Sequence, residues 1–310
     1  MNASPQIKIA LAGIGGIARK VYLPLLSQMH EVRIEGILSS SSSTVEQTVH
    51  TYRLPRGTTS LEELLSWQLD AVFIHAPTPA HYELVTQCLK RGISVYVDKP
   101  LSYSLSESES MAALAESKGL LLGVGFNRRF APLYAEAKMW VGEAGGITQC
   151  SAFKQRTGQQ SISSRETIHD DLIHMLDLLL WLGGEDYELL RGNLRSDSEG
   201  RLIQASGLIG WDGGAAGMYG MTRDAGADSE RLELHGGGRS AEVADMERAV
   251  LSERGGAQSV RGFGSWDTIL QRRGFDGAVR HFLDHLNTPE LCRISASKVL
   301  ASHRLAAELA

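Results

Sequence analysis

The segment Ile7-Lys8-Ile9-Ala10-Leu11-Ala12-Gly13-Ile14-Gly15-Gly16-Ile17-Ala18 joins a short apolar run to a glycine-rich turn. Ile7 to Ala12 reads as a strand, and Ile17 to Met29 reads as a helix interrupted or kinked at Pro24. The turn between them fits G-x-G-x-x-G/A, with Ala18 in the third place. Gly13 permits the tight turn, Gly15 lets the backbone approach a pyrophosphate, and Ala18 lets helix and strand pack closely. Free amides at such a helix start bind a diphosphate, so Gly13, Ile14, Gly15, Gly16 and Ile17 are expected to hold a dinucleotide. The run from Ile9 to Ala18 could also pass for the core of a signal peptide behind Lys8. Its three glycines fit a strand and turn better.

Strands and helices alternate beyond this point. Val32 to Leu38 and Ala71 to His75 read as strands, and helices are expected after Ser43-Thr44-Val45-Glu46, after Ser60-Leu61-Glu62-Glu63 and over Ala80 to Lys90. Gly92 ends the last of these in a left-handed cap. Ile93 to Val97 is a buried strand followed at once by Asp98-Lys99-Pro100. Pro100 disfavours the α region for Lys99, so the strand stops there and leaves a cation at the carboxyl edge of a sheet. Ligands bind at that edge in open α/β sheets. Ser106-Glu107-Ser108-Glu109 opens a further helix, and Leu120 to Phe126 is another strand. This alternation implies parallel pairing with right-handed crossovers.

The pattern changes near Gly123. A helix starts at Pro132, a strand covers Ile147 to Lys154, and a strong helix covers Ile168 to Leu182. From Leu189 to about Val250 the chain reads as hairpins, marked by Trp211-Asp212-Gly213-Gly214 and His235-Gly236-Gly237-Gly238. Helices near Phe275 to Leu286 and Ser295 to Leu309 close it. The fold expected is α/β: a Rossmann domain over residues 1–122, then an α/β domain over 123–310 with a large, mainly antiparallel sheet.

The 310 residues suit two domains, and 43% hydrophobic residues supply an ample core. The net charge of −5 comes without a basic stripe, which argues against nucleic acid. The three cysteines, Cys88, Cys150 and Cys292, lack metal-ligand spacing and suit a reducing compartment. No apolar run approaches transmembrane length, so a cytoplasmic protein without a membrane partner is expected.

Two further stretches bear on chemistry. The second strand ends in Ser39-Ser40-Ser41-Ser42-Ser43, without the acid that NAD readers place there, so Ser39 and Ser40 tilt the choice between NAD and NADP towards NADP. On the helix from Ile168, Asp170, His174 and Asp177 fall at i, i+4 and i+7, on a stripe apart from the leucine face. His174 can move a proton near neutral pH, and Asp170 can orient its ring. Asp171, His174 and His169 are the rival reading as metal ligands. One clearly placed imidazole does not support it, and no metal is expected.

Gly13 to Ala18, Ala76-Pro77-Thr78-Pro79-Ala80-His81, Asp98-Lys99-Pro100 and Asp170-x-x-x-His174-x-x-Asp177 together resemble the Gfo/Idh/MocA family of nicotinamide-dependent oxidoreductases. Gly125-Phe126-Asn127-Arg128-Arg129-Phe130-Ala131-Pro132 and Gln271-Arg272-Arg273-Gly274-Phe275 are similar to its MviM/YceM branch. Two positions depart from the family: Asp98 stands for its usual glutamate, and Arg165-Glu166 for a glycine pair. The resemblance implies that Lys99 acts beside the nicotinamide and the substrate oxygen. It implies that His174 is the acid–base residue and Asp170 its support. It places Ala76, Pro77, Thr78, His81, Asp98 and Pro100 along the cofactor groove, with Asn127 and Arg128 close to the domain junction. The implied activity is hydride transfer to or from a secondary alcohol of a sugar, cyclitol or similar polyol, by a homodimer or homotetramer. An NAD-dependent glycoside hydrolase or lyase that oxidises its substrate transiently is one alternative. A non-catalytic NAD(P) sensor is another.

Overall fold

A computed structural model describes residues 6–310. They form two compact units, the first running to Gly125 and including Val279–Leu300, the second holding Phe126–Ala278 and Ala301–Ala310.

The first unit is built on six parallel strands: β1 Ile7–Ala12, β2 Val32–Leu38, β3 Gly57–Thr58, β4 Ala71–Ile74, β5 Ser94–Val97 and β6 Leu122–Val124. Their order is β3-β2-β1-β4-β5-β6. Strands β4 and β5 are buried throughout, as expected where helices cover both faces of a parallel sheet. After the glycine loop the helix runs through a π-helical turn, Ala18–Tyr22, into a short α-helix, Leu23–Leu26. Pro24 sits in the first turn of that α-helix, where its missing N–H costs nothing.

Two helix starts lie two residues earlier than the sequence suggests. Ser41, not Ser43, caps helix Ser42–Tyr52 by accepting from the Thr44 amide, and Ser104, not Ser106, caps helix Leu105–Lys118 by accepting from Glu107. In a serine run every position offers a capping oxygen, and the extended backbone at Ser41 (ψ 117°) and Ser104 (ψ 123°) selects the cap.

A division at 122/123 leaves out the return of residues 279–300 to the first unit. Phe282 lies edge-on to Phe73 and Tyr96, with ring centroids 5.5 and 5.3 Å apart. A side-chain carbon at Gly123 would come within 2.6 Å of the Phe282 ring, so β6 needs glycine there. Val124 donates its amide to the Ile294 carbonyl at 2.8 Å.

The second unit carries eight strands: β7 Gln149–Gln155, β8 Glu188–Ser196, β9 Leu202–Gly210, β10 Ala216–Thr222, β11 Ser229–Gly236, β12 Arg239–Ala244, β13 Arg248–Glu253 and β14 Ser259–Arg261. The order is β14-β13-β12-β11-β7-β10-β9-β8, and only β7 and β10 pair in parallel. Both expected hairpins form, with positive φ at Gly213, Gly214, Gly237 and Gly238. Helices Pro132–Gly142 and Ile173–Gly183 pack on one face of this sheet. Leu176, Leu178, Leu179 and Leu180 of the second helix are buried there.

Candidate active site

Backbone hydrogen bonds bring the strand ends of the first unit into one row. Gly13 donates to Leu38, His75 to Ala12, Asp98 to Ile74 and Gly125 to Val97, at 2.7–3.0 Å. The glycine loop therefore shares its edge with Ser39 and Ser40, with Ala76-Pro77-Thr78 and with Asp98-Lys99-Pro100. Gly13 has φ +89°, and a side-chain carbon there would come within 2.3 Å of the Ala76 amide nitrogen. Above Gly15 the nearest atom to such a carbon is the His75 carbonyl oxygen at 4.0 Å, and above Gly16 there is none within 4 Å. Both glycines are exposed, at the start of a helical run whose first amides lack intrahelical acceptors. This open cradle fits a dinucleotide diphosphate.

Lys99 is held by its backbone. Its amide donates to the Asp98 carboxylate at 2.9 Å, and a cis peptide joins it to Pro100. His81 is almost fully buried, and its two ring nitrogens lie 2.9 Å from the carbonyls of Pro100 and Ala76. His81 thus bridges the lysine turn and the end of β4, donating to both carbonyls as the imidazolium and to one of them as the neutral ring.

Beneath the loop lies an aromatic pad. His75 stacks on Tyr22 with centroids 3.8 Å apart, and the Tyr22 and Tyr96 hydroxyls are 3.2 Å apart. Burial, with His81 adding, pushes His75 down to about 3 and keeps it neutral. Burial raises both tyrosines, and the nearby Asp98 charge raises them further. Gly125 leaves the space in which Asp98 Oδ1 and the two hydroxyls gather, each 3.3–3.4 Å from where its side-chain carbon would be.

In the second unit the Asp/His helix is not regular. Ser163 opens it with a full capping box, Ser164–Thr167 is α-helical, Ile168–Leu172 is a π-helical turn, and Ile173–Gly183 is α-helical. π-Turns are frequent at functional sites because they re-aim side chains. Asp170 accepts from the Gln160 amide at 2.8 Å. Asp171 turns to Lys154 and to Arg223, the latter at 3.2 Å. Asp177 leaves the expected stripe. It is 1% exposed, pairs in bidentate fashion with Arg129 at 2.6 and 2.9 Å, and accepts from Ser302 at 2.9 Å.

Two residues expected near the cofactor are occupied inside this unit. The Arg128 guanidinium makes a bidentate pair with Glu230 at 2.7 and 2.8 Å, and the Asn127 amide donates to the Arg273 carbonyl at 2.7 Å. No sequence pattern singles out Arg19 or Arg223. Arg19 follows the glycine loop and reaches back to the Ile14 carbonyl at 3.3 Å and to Thr44 at 3.5 Å, beside the serine run.

Residues 7–126 match the oxidoreductase family with the NAD-binding Rossmann fold, Gfo/Idh/MocA, and residues 132–254 match the YceM-like C-terminal domain. The chain is 34% identical over 299 residues to YceM of Salmonella typhimurium, covering 96% of this chain and 95% of that one. A crystal structure of the dehydrogenase MviM from Clostridium difficile aligns with a TM-score of 0.91 at 31% identity, over 97% of this chain and 98% of that one. The scyllo-inositol 2-dehydrogenase (NAD(+)) of Bacillus subtilis is 26% identical over 260 residues, 79% of this chain and 73% of that one. A glycine cradle and a lysine turn on one sheet edge, matched along both units, place the chain in the Gfo/Idh/MocA family of NAD(P)-dependent oxidoreductases, among the members with a YceM-like C-terminal domain.

Proposed function

We propose that the protein transfers hydride to or from a secondary alcohol of a sugar, cyclitol or similar polyol, with Lys99 and His174 as its catalytic residues. The observation that carries this reading is the lysine turn fixed to the floor of the glycine cradle through His81. The scyllo-inositol relative supports the substrate class. When bound, the nicotinamide accepts or supplies the hydride. His174 takes the hydroxyl proton during oxidation and returns it during reduction. Asp170, held by Gln160, binds a substrate hydroxyl or orients the histidine. The Lys99 ammonium stabilises negative charge developing on the reacting oxygen.

NADP is the cofactor proposed. The serine hydroxyls after β2, with Arg19 alongside, suit a 2′-phosphate. Cofactor fluorescence, followed by a polyol panel read at 340 nm, tests both parts. NADPH should bind more tightly than NADH, and Arg19→Ala should reduce that preference about tenfold, the loss of one charge-assisted contact. Equal binding of the two cofactors would refute the NADP reading. Absence of any absorbance change across the panel, with cofactor bound, would refute the alcohol reading.

A homodimer or homotetramer is proposed as the working state. The sheet face opposite the two helices carries Phe153, Leu208 and Met218, all partly exposed, on neighbouring strands, and Leu190 is 50% exposed on the edge strand β8. Patches of this kind mark interaction surfaces. Light scattering should return a multiple of 33.7 kDa, and a monomer at micromolar concentration would sink the idea.

A further inference from the structure

Three polar groups meet behind the lysine turn: the hydroxyls of Tyr22 and Tyr96 and the carboxylate of Asp98. Tyr22 closes the π-helical turn after the glycine loop, Tyr96 lies on β5, and Asp98 follows β5 directly. Tyr96 and Asp98 are two residues apart on extended backbone, so their side chains project to the same side. Asp98 Oδ1 and the two hydroxyls all lie 3.3–3.4 Å from the point that a Gly125 side-chain carbon would occupy. The reaction assigned above uses neither tyrosine.

Packing does not explain the hydroxyls. Both tyrosines are fully buried, and their rings fill the space by themselves. Tyr96 stacks on Phe73 at 5.0 Å and meets Phe282 edge-on at 5.3 Å, and Tyr22 stacks on His75 at 3.8 Å. Phenylalanine would make the same contacts. A buried hydroxyl is destabilising unless it is hydrogen-bonded, so each of these calls for a partner. The pair carries two hydroxyl hydrogens. One lies between the two oxygens, 3.2 Å apart, and the other needs a second acceptor. His75 is not that acceptor, since neither of its ring nitrogens has a partner among the described residues. The Asp98 carboxylate lies beside the pair. Burial together with the Asp98 charge holds both tyrosines above their ordinary range, so both stay protonated.

Asp98 passes the restraint on. Its own amide is anchored to the Ile74 carbonyl at 3.0 Å, and its Oδ1 accepts the Lys99 amide at 2.9 Å. That bond fixes the peptide plane before Lys99, and with it the direction in which the lysine side chain leaves the backbone.

We propose that the buried Tyr22–Tyr96 pair is a positioning device for Lys99: a tyrosine hydroxyl holds the Asp98 carboxylate, and the carboxylate holds the Lys99 amide. Its effect on turnover rests on the reading of Lys99 as a catalytic residue; its effect on the turn does not.

Hydrogen exchange of the Lys99 amide, followed by NMR on the full chain, tests the device directly. In the double variant Tyr22→Phe/Tyr96→Phe that amide should exchange at least about tenfold faster, as support for a hydrogen bond to a charged group is lost, while the Val97 amide on β5 keeps its rate. General loosening of the unit would speed both. With NADP and scyllo-inositol, myo-inositol or D-glucose as the alcohol, kcat should fall about tenfold, less than the roughly 10²-fold that a misplacement of about 1 Å costs, with KM and cofactor affinity within about twofold. Added to Lys99→Ala, the double variant should cause no further loss. Either single variant should lie between the parent and the double variant, and covers the case in which the double variant does not fold. Unchanged exchange at Lys99, equal acceleration at Val97, or a further loss of about tenfold on top of Lys99→Ala would overturn the device. Full turnover in Lys99→Ala, or no oxidation of the three alcohols, would count against the proposed reaction and leave the exchange rates to decide the device.

Discussion

Asp177→Ala is expected to destabilise the second unit by about 3–5 kcal/mol, the usual cost of removing one partner from a buried ion pair. The carboxylate is 1% exposed and accepts both Nε and Nη2 of Arg129, at 2.9 and 2.6 Å, and the Ser302 hydroxyl at 2.9 Å. Without it the guanidinium loses its bidentate partner among apolar helices, where water cannot replace it. Asp177→Asn keeps one acceptor oxygen and should cost less. Ser302→Ala, which removes one hydrogen bond to a charged group, should cost about 1.5–3 kcal/mol. Urea denaturation of the three variants checks the order. A loss below about 1 kcal/mol for Asp177→Ala would show that the pair contributes no more than a surface ion pair.

Asp177 also shows where sequence periodicity misleads. At i+7 from Asp170 it should share a face with His174 on a regular helix. The π-turn Ile168–Leu172 shifts Asp170 relative to the α-helix Ile173–Gly183 that carries both His174 and Asp177, so the three-residue stripe does not survive as one register. Side-chain type does not reveal such a turn; packing against the sheet selects it. Strand–helix alternation was legible because β1, β4, β5 and β6 are short and largely apolar, whereas the two-residue β3, Gly57–Thr58, carries no such signal and was not expected. The glycine loop was legible because Gly13 has no alternative residue: its backbone is left-handed and lies against Ala76. The return of Phe282 to the first unit was not legible, since an aromatic residue on a late helix does not show which core it fills. The partners of Arg128 and Arg129 were equally hidden. Glu230 is 102 residues from Arg128 and Asp177 is 48 from Arg129, and only the folded sheet and helix bring them together.

Lys99→Ala is expected to lower kcat by about 10²–10⁴ while leaving affinity for the nicotinamide cofactor within about twofold, the range seen when a stabilising or proton-transferring group is removed. The structure gives a reason to expect this split. The Lys99 backbone is fixed by groups other than its own side chain: its amide by the Asp98 carboxylate at 2.9 Å, and the next carbonyl, that of Pro100, by His81 at 2.9 Å. Truncation should leave the turn, and the cradle tied to it, in place. Lys99→Arg keeps a charge but replaces a compact ammonium with a larger planar group, so it should recover little. His174→Asn should lower kcat to a similar degree. If the two act in one step as proposed, the double variant should fall far short of the product of the two losses, because such groups are not additive. Steady-state rates at 340 nm, with cofactor binding followed by fluorescence, supply every number needed. If Lys99→Ala retains turnover within about threefold of the parent, a difference under about 1 kcal/mol in the barrier, Lys99 is not a catalytic residue.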